Sequence, residues 1–221
     1  MRKVIASTFI SLDGVMQAPG GTEEDRSGGF KSGGWQAPFA DESDDVAGAA
    51  MQKLLAPPYD LLLGRRTYEI FAAYWPFQDD PIGKGFTSAR KYVATRTLKD
   101  LTWKNSVAIR DAATDVARLK QQDGPPLRIW GSGNLIQTLL KNGLIDEFTV
   151  LIYPVLLGKG KRLFADDAVS GSLTLTGSAI SKRGVFIASY EPAGPVKTGT
   201  FVGDKPSEAE VQRREKVKRE G

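Results

Sequence analysis

Neither cysteine nor histidine occurs in the 221 residues. Disulfide scaffolds, thiolate zinc sites, cysteine nucleophiles, Ser-His-Asp triads and His-based metal sites are thereby excluded. Long apolar runs are missing too, since no stretch approaches the roughly 18 residues of a membrane-spanning helix. The opening MRKVIASTFISLDG places serine and aspartate where a secretion signal would still be apolar, so a cytoplasmic protein with no membrane partner is expected. The excess of one charge sign over the other is small as well. The formal net charge is +4, and the segment from Gly203 to Gly221 carries six basic and five acidic residues, so +1 of it lies in that tail. A nucleic-acid binder would show a clustered basic patch with interleaved aromatics; none is present, and no nucleic-acid partner is expected.

What is present is a chain with 41% hydrophobic residues, long enough to bury a sizeable core. Its apolar pattern alternates between periods of two and of about 3.6 residues. Strands are predicted at Lys3–Ile10, Tyr59–Leu63, Lys91–Ala94 and Leu127–Trp130. Helices are predicted at Arg65–Tyr74, closed by Pro76, at Ala112–Gln122, and at Asn134–Lys141 with Gly143 as its carboxyl-terminal cap. This is the rhythm of βαβ units and implies a mostly parallel sheet. The last third differs. Phe148–Gly158, Leu173–Ile180 and Gly184–Glu191 read as strands without intervening helices, which calls for antiparallel pairing. The expected fold is therefore α/β, with a mixed, mostly parallel central sheet and antiparallel C-terminal strands over residues 1–192, followed by a charged extension, 193–221. There Ser207 and Glu210 suit a capping box.

Three polar turns follow predicted strands. LLLGRRTY sets Gly64, Arg65, Arg66 and Thr67 after a buried run, ATRT brings Thr95, Arg96 and Thr97, and WGSGNL brings Gly131, Ser132, Gly133, Asn134 and Leu135. Paired arginines either decorate a solvated helix start or grip a phosphate. Two glycines at a strand-to-helix turn either make a tight turn or let an anion approach the main chain at the positive end of the helix dipole. The full GxGxxG pattern is absent, because Ile136 stands at the third glycine position. GKGKRLF lies between antiparallel strands, so Gly158 and Gly160 read as turn residues. If the sheet is parallel where predicted, all three polar turns lie at carboxyl ends of strands, where open α/β sheets bind ligands.

MRKVIASTFISLDGVMQ, LLLGRRTYEIFAAYWP, YVATRTL and LRIWGSGNLIQTLLKNGLIDEFTVLIYPVLLGKGKRLF together resemble the dihydrofolate reductase superfamily. They most resemble its branch similar to the reductase domain of bifunctional riboflavin-biosynthesis deaminase-reductases. The resemblance implies the three-layer dihydrofolate reductase-like fold, with NADPH bound across the strand ends. On these motifs Arg65 and Arg66 match contacts to the adenosine 2′-phosphate, and Thr67 reaches the pyrophosphate from the turn at Gly64. Thr95, Arg96 and Thr97 match the second side of the adenosine site. Gly131, Ser132 and Gly133, with Asn134 and Leu135 opening the helix, match the turn at pyrophosphate and nicotinamide. The activity implied is NADPH-dependent hydride transfer to a small heterocycle, a pyrimidine with a phosphoribosylamino chain or a related ring; a pterin or dihydrofolate reductase and a non-catalytic nucleotide-binding protein are the alternatives. The zinc ligands of a deaminase would need cysteine and histidine.

Hydride transfer also needs a proton. Asp13 and Asp45 are the catalytic candidates. Asp13, in SLDG, either orients substrate or closes a turn through its side chain. Asp45 competes with Asp41, Glu42 and Asp44, and acids at a helix start also serve simply to complement the dipole. Met16, Trp35 and Tyr68, with Trp75, either shape a pocket for a flat ring or belong to the core. The six glycines of Gly20–Gly34 suggest a mobile segment, placed like the superfamily's lid, or else a plain surface insertion. TVLIYPVLLG, apolar at nearly every position, should be covered on both faces, more than the helices could supply, so a homodimer built on the carboxyl-terminal strands is expected.

Overall fold

Leu61, Leu62 and Leu63 are each fully buried, and Leu62 belongs to one hydrophobic cluster while its two neighbours belong to another. Alternate residues of a strand face opposite sides, so an uninterrupted leucine run marks a strand covered on both faces. The computed structural model describes residues 1–41, 43–164, 168–201, 203 and 205–220, and the side chain of Asp45 lies outside what it describes. In chain order the elements are β1 (Val4–Ser11), α1 (Asp45–Leu55), β2 (Asp60–Gly64), α2 (Arg65–Tyr74), α3 (Pro81–Ser88), β3 (Lys91–Ala94), β4 (Ser106–Ile109), α4 (Ala112–Lys120), β5 (Leu127–Trp130), α5 (Gly133–Lys141), β6 (Glu147–Tyr153), β7 (Leu173–Ile180), β8 (Phe186–Pro192) and α6 (Glu208–Glu220).

The eight strands form one sheet in the order β4-β3-β2-β5-β1-β6-β8-β7. Every pairing from β4 to β6 is parallel, while β6 with β8 and β8 with β7 are antiparallel. One cluster packs α4 and α5, through Val116, Leu119, Ile136 and Leu139, on Leu62 and Ile129. The other packs Tyr68, Phe86 and Trp103 on Leu61, Leu63 and Val93. Each such leucine contributes roughly 1.5–3 kcal/mol by leaving water. Gly143 does cap α5: its N–H bonds Leu140 O at 3.0 Å and the Leu144 N–H bonds Leu139 O at 2.9 Å, the two bonds of a Schellman end.

Several expectations need correction. The strand drawn from Phe148 to Gly158 stops at Tyr153, because Pro154 has no N–H to donate; Leu156 beyond it is 71% exposed. β6 is covered on both faces within the chain itself, with Phe148 and Val150 in one cluster and Leu151 and Tyr153 in the other. The uncovered apolar strand is β7 at the sheet edge, where Leu173, Leu175 and Ile180 are exposed. β4 and α3 were not foreseen. In α6 the Ser207 hydroxyl accepts from Glu210 N at 3.3 Å, but the Glu210 carboxylate turns to Arg213 and Arg214 instead of closing the box.

Lys91 is an unusual strand residue. Its side chain is fully buried, and its ammonium donates to the carbonyls of Thr87 (2.9 Å), Ala89 (2.7 Å) and Lys104 (3.1 Å) while lying 4.3 Å from the centre of the Trp103 ring. Thr87 and Ala89 stand at the end of α3, where carbonyls lack partners and a cation suits the dipole. Burial pulls its pKa down to about 8. No helix among the described residues is long and apolar enough to cross a membrane.

Candidate active site

Because β3, β2, β5 and β1 run parallel, the turns that follow them open on one edge of the sheet. Along that edge runs a cavity of about 720 Å³, within the range of small-molecule sites. The twelve residues expected from the three turns divide as follows: Gly64, Arg65, Arg66 and Thr67, Thr95 and Arg96, Gly131, Ser132 and Gly133, and Asn134 with Leu135 all line it, while Thr97 stands just behind as a partner of Arg65. Met16 lines it too.

Ser132 joins two of these turns. Its hydroxyl accepts from Gly64 N at 3.0 Å and lies 3.0 Å from Thr67 Oγ1 and 3.1 Å from Trp130 O, which compete for its one proton. The residue is held in the left-handed region, φ 58° and ψ 44°, as the N-cap of α5, a conformation that costs a non-glycine residue about 1–2 kcal/mol. Gly131 before it has φ +56°, and glycine alone takes that without penalty. The third turn is organised from inside: Thr95 is buried and its hydroxyl accepts from Leu98 N at 3.0 Å, while Arg110 donates to the carbonyls of Thr95 and Leu98, both at 2.9 Å.

The two adjacent arginines part company. Arg65 Nη1 donates to Thr97 Oγ1 at 2.8 Å and its Nε to Glu69 at 3.0 Å, whereas Arg66 Nη1 donates to Ser27 Oγ at 3.1 Å. They are the first two residues of α2, and successive helical residues point about 100° apart. One guanidinium therefore serves the β3 side of the cavity and the other the loop after β1.

That loop is packed, not loose. Phe30 and Trp35 are buried, the Trp35 indole donates to Gln17 O at 2.8 Å, and Gln17 Nε2 donates to the carbonyls of Asp25 (3.0 Å) and Ser27 (2.9 Å). Lys161, beyond β6, pairs with Asp25 at 2.5 Å. Gly160 permits this approach, because a Cβ on it would fall 2.5 Å from Val15 Cγ1. Lys161 and Arg162 line the cavity, a role not visible when GKGKRLF is read as a turn. Arg110 and Asp111 line it as well.

The aromatic candidates lie elsewhere. Tyr68 is 3% exposed and its hydroxyl accepts from Trp103 N at 3.0 Å; Trp35 packs edge-on to Tyr153 at 5.4 Å. Neither lines the cavity, whose apolar wall is formed by Phe9, Met16, Ile70, Phe71 and Trp130.

The family model of the RibD C-terminal domain matches residues 2–187. The chain belongs to the RibD C-terminal domain family. Among relatives, the uncharacterized protein YyaP of Bacillus subtilis (strain 168) is 27% identical over 199 residues, covering 86% of this chain and 94% of that one. Among solved structures, a candidate riboflavin biosynthesis protein from Shewanella sp. PV-4 superposes with a TM-score of 0.61 at 20% identity, over 86% of this chain and 99% of the other. A dihydrofolate reductase from Enterococcus faecalis complexed with NADP(H) does so with a TM-score of 0.55 at 15% identity, over 86% and 96%. The fold is dihydrofolate reductase-like.

In this RibD C-terminal domain fold Asp13 closes a turn. Its carboxylate accepts from Ser11 Oγ (2.6 Å), Leu157 N (3.1 Å) and Gly158 N (2.8 Å), and it does not line the cavity. The Ser11 hydroxyl and the two backbone donors hold its pKa at about 2, against a smaller upward push from burial. Asp44 caps α1 by accepting from Ala47 N at 3.0 Å and also accepts from Lys182 N at 2.6 Å, and Asp41 pairs with Arg183. Glu42, like the Asp45 carboxyl, lies outside the described residues. Of the acids lining the cavity, Asp111 is lowered by the N–H and hydroxyl of Thr114, and Asp25 is lowered because Lys161 and Ser27 outweigh its burial. Glu24 alone is raised, by burial, although Gly20 N and Gly21 N donate to it. It had not been singled out; an acid inside a glycine-rich stretch reads as solvated.

Proposed function

We propose that this chain is an NADPH-dependent reductase of a small heterocycle, of the riboflavin-biosynthesis type, with a pyrimidine carrying a phosphoribosylamino chain as the favoured substrate class. The observation that carries the reading is the cavity itself: one groove, cationic and built on main-chain turns at its β3–β2 end, apolar where Phe9 and Met16 line it. The donor set fits the cofactor. Arg65, Arg96 and Arg110 suit a ribose phosphate, Thr67 and Ser132 stand at two helix starts suited to a pyrophosphate, and Gly131 and Gly133 leave the main chain open. Bound there, a reduced nicotinamide supplies hydride. Phe9 and Met16 would shelter its ring from water, and Glu24, the cavity-lining acid whose pKa burial raises, is the side chain placed to be tested as a proton source.

Titration calorimetry tests the cofactor. NADPH is expected to bind at least about ten-fold tighter than NADH, the worth of one charge-assisted contact to the 2′-phosphate; equal affinities would remove the phosphate reading.

The homodimer is proposed on a new basis. β7 leaves Leu173, Leu175 and Ile180 exposed on a free strand edge, and exposed edges are where a second copy pairs. Light scattering at micromolar concentration should give about twice the 24.0 kDa of the chain; the monomer mass would end the proposal.

A further inference from the structure

We infer that Ser27 is a positioning residue for Arg66, so that packing of the Gly20–Gly34 loop and binding of a nucleotide phosphate reinforce one another. The inference rests on the nucleotide-binding reading above. A hydroxyl has one proton and two lone pairs, and Ser27 uses all three: it donates to Asp25 Oδ1 at 2.6 Å and accepts from Lys161 Nζ at 2.7 Å and from Arg66 Nη1 at 3.1 Å. The bonds among Asp25, Lys161 and Gln17 fasten this part of the loop to the end of β1 and to the segment after β6; Lys161 N also donates to Gln17 Oε1 at 3.0 Å. Arg66 is the tie from α2, whose first turn lines the cavity. Ser27 itself does not line the cavity.

A guanidinium carries five N–H donors. Among the described residues no acceptor meets Nε or Nη2 of Arg66, so its bond to Ser27 leaves one edge of the group for an anion. A long exposed side chain loses rotamer freedom when it grips a ligand. Fixing it beforehand lowers that cost, which raises affinity without adding a contact. Linkage then requires the reverse: a phosphate held by Arg66 must steady the loop by the same factor.

The test uses the full chain, with NADP+ and inorganic pyrophosphate as probes and trypsin cleavage at Arg26 as the loop readout. Arg26 is exposed and lies next to Ser27. Saturating NADP+ is expected to slow cleavage several-fold in the wild type and not in Arg66→Ala. Ser27→Ala should bind NADP+ roughly ten-fold more weakly, the scale of one hydrogen bond to a charged group, and Ser27→Thr, which keeps the hydroxyl, should restore it. A merely structural role of Ser27 is separated by the cycle: in the Arg66→Ala background, Ser27→Ala should change NADP+ affinity no further. Equal affinity of wild type and Ser27→Ala, or an undiminished Ser27→Ala effect without Arg66, overturns the inference. A wild type that binds neither NADP+ nor pyrophosphate overturns the nucleotide reading itself, a different and recognisable failure.

Discussion

Gly133→Val is expected to abolish nucleotide binding in a protein that still folds. Gly133 is the first residue of α5, and its backbone, unlike that of Gly131, is not in the left-handed region. A Cβ on it would sit 2.9 Å from Met16 Sδ and 3.9 Å from Arg162 O, both cavity-lining residues. The thioether end of a methionine moves easily, so the fold can yield. The two methyl groups of valine would then stand where an anion approaches the start of the helix. Calorimetry with NADPH should show a loss of about a hundredfold or more, roughly 2.7 kcal/mol, while the melting temperature falls by only a few degrees. Binding retained within a few-fold would reduce the GSGN turn to a connection. Gly131→Val is the poorer probe, since its φ of +56° would strain any branched residue and mix folding with binding.

The second large effect concerns Lys91. Its folded pKa, about 8, lies below the ordinary 10.5, so between those values the unfolded chain binds more protons and stability rises with pH. The contribution is fully present above the unfolded value and is lost as pH falls through about 8. The clean window is pH 8 to about 10, because Tyr153, raised to about 12 by burial, begins to favour unfolding above the ordinary tyrosine value of 10.0. Urea unfolding should show a gain of up to about 2 kcal/mol across that window, tempered by the three carbonyls and the indole face that favour the charged form. Lys91→Met should flatten this rise. At neutral pH it should cost about 3 kcal/mol, since three buried carbonyls lose a donor. A wild-type profile as flat as that of Lys91→Met would show that the ammonium stays charged throughout the window.

How far the sequence could be read follows from what kind of signal each element leaves. β3, β5 and β7 fall where the apolar pattern placed them, as does α2, because each is an uninterrupted run bounded by turn residues. β4 follows β3 in parallel without a helix between them, against the usual crossover. With β4 overlooked, the strand-then-turn-then-helix sequence Ile109, Arg110, Asp111, Ala112 was overlooked as well, and with it a fourth edge of the cavity. α3 contains two glycines and starts at Pro81, so propensity argues against it; Asp80, which accepts from Ile82 N and Gly83 N, begins it nonetheless. The turns of the site were legible because a polar turn after a buried strand is a one-dimensional pattern. Tyr68, Trp35 and Asp13 were not, since composition does not tell which way a side chain points. Lys161 and Glu24 reach the cavity only through contacts between distant segments.

Arg65 and Arg66 are neighbours in the sequence but not in the groove. Because the start of α2 turns them toward opposite walls, each codon addresses a different property of the groove. On the proposed nucleotide reading, change at the first alters what the β3 wall would recognise and leaves the loop fastened, whereas change at the second loosens the loop and the grip on phosphate together. Two neighbouring positions are thus unequal handles: the first can be retuned for a different ligand with the loop left in place, while the second cannot be altered without moving loop and ligand affinity at once.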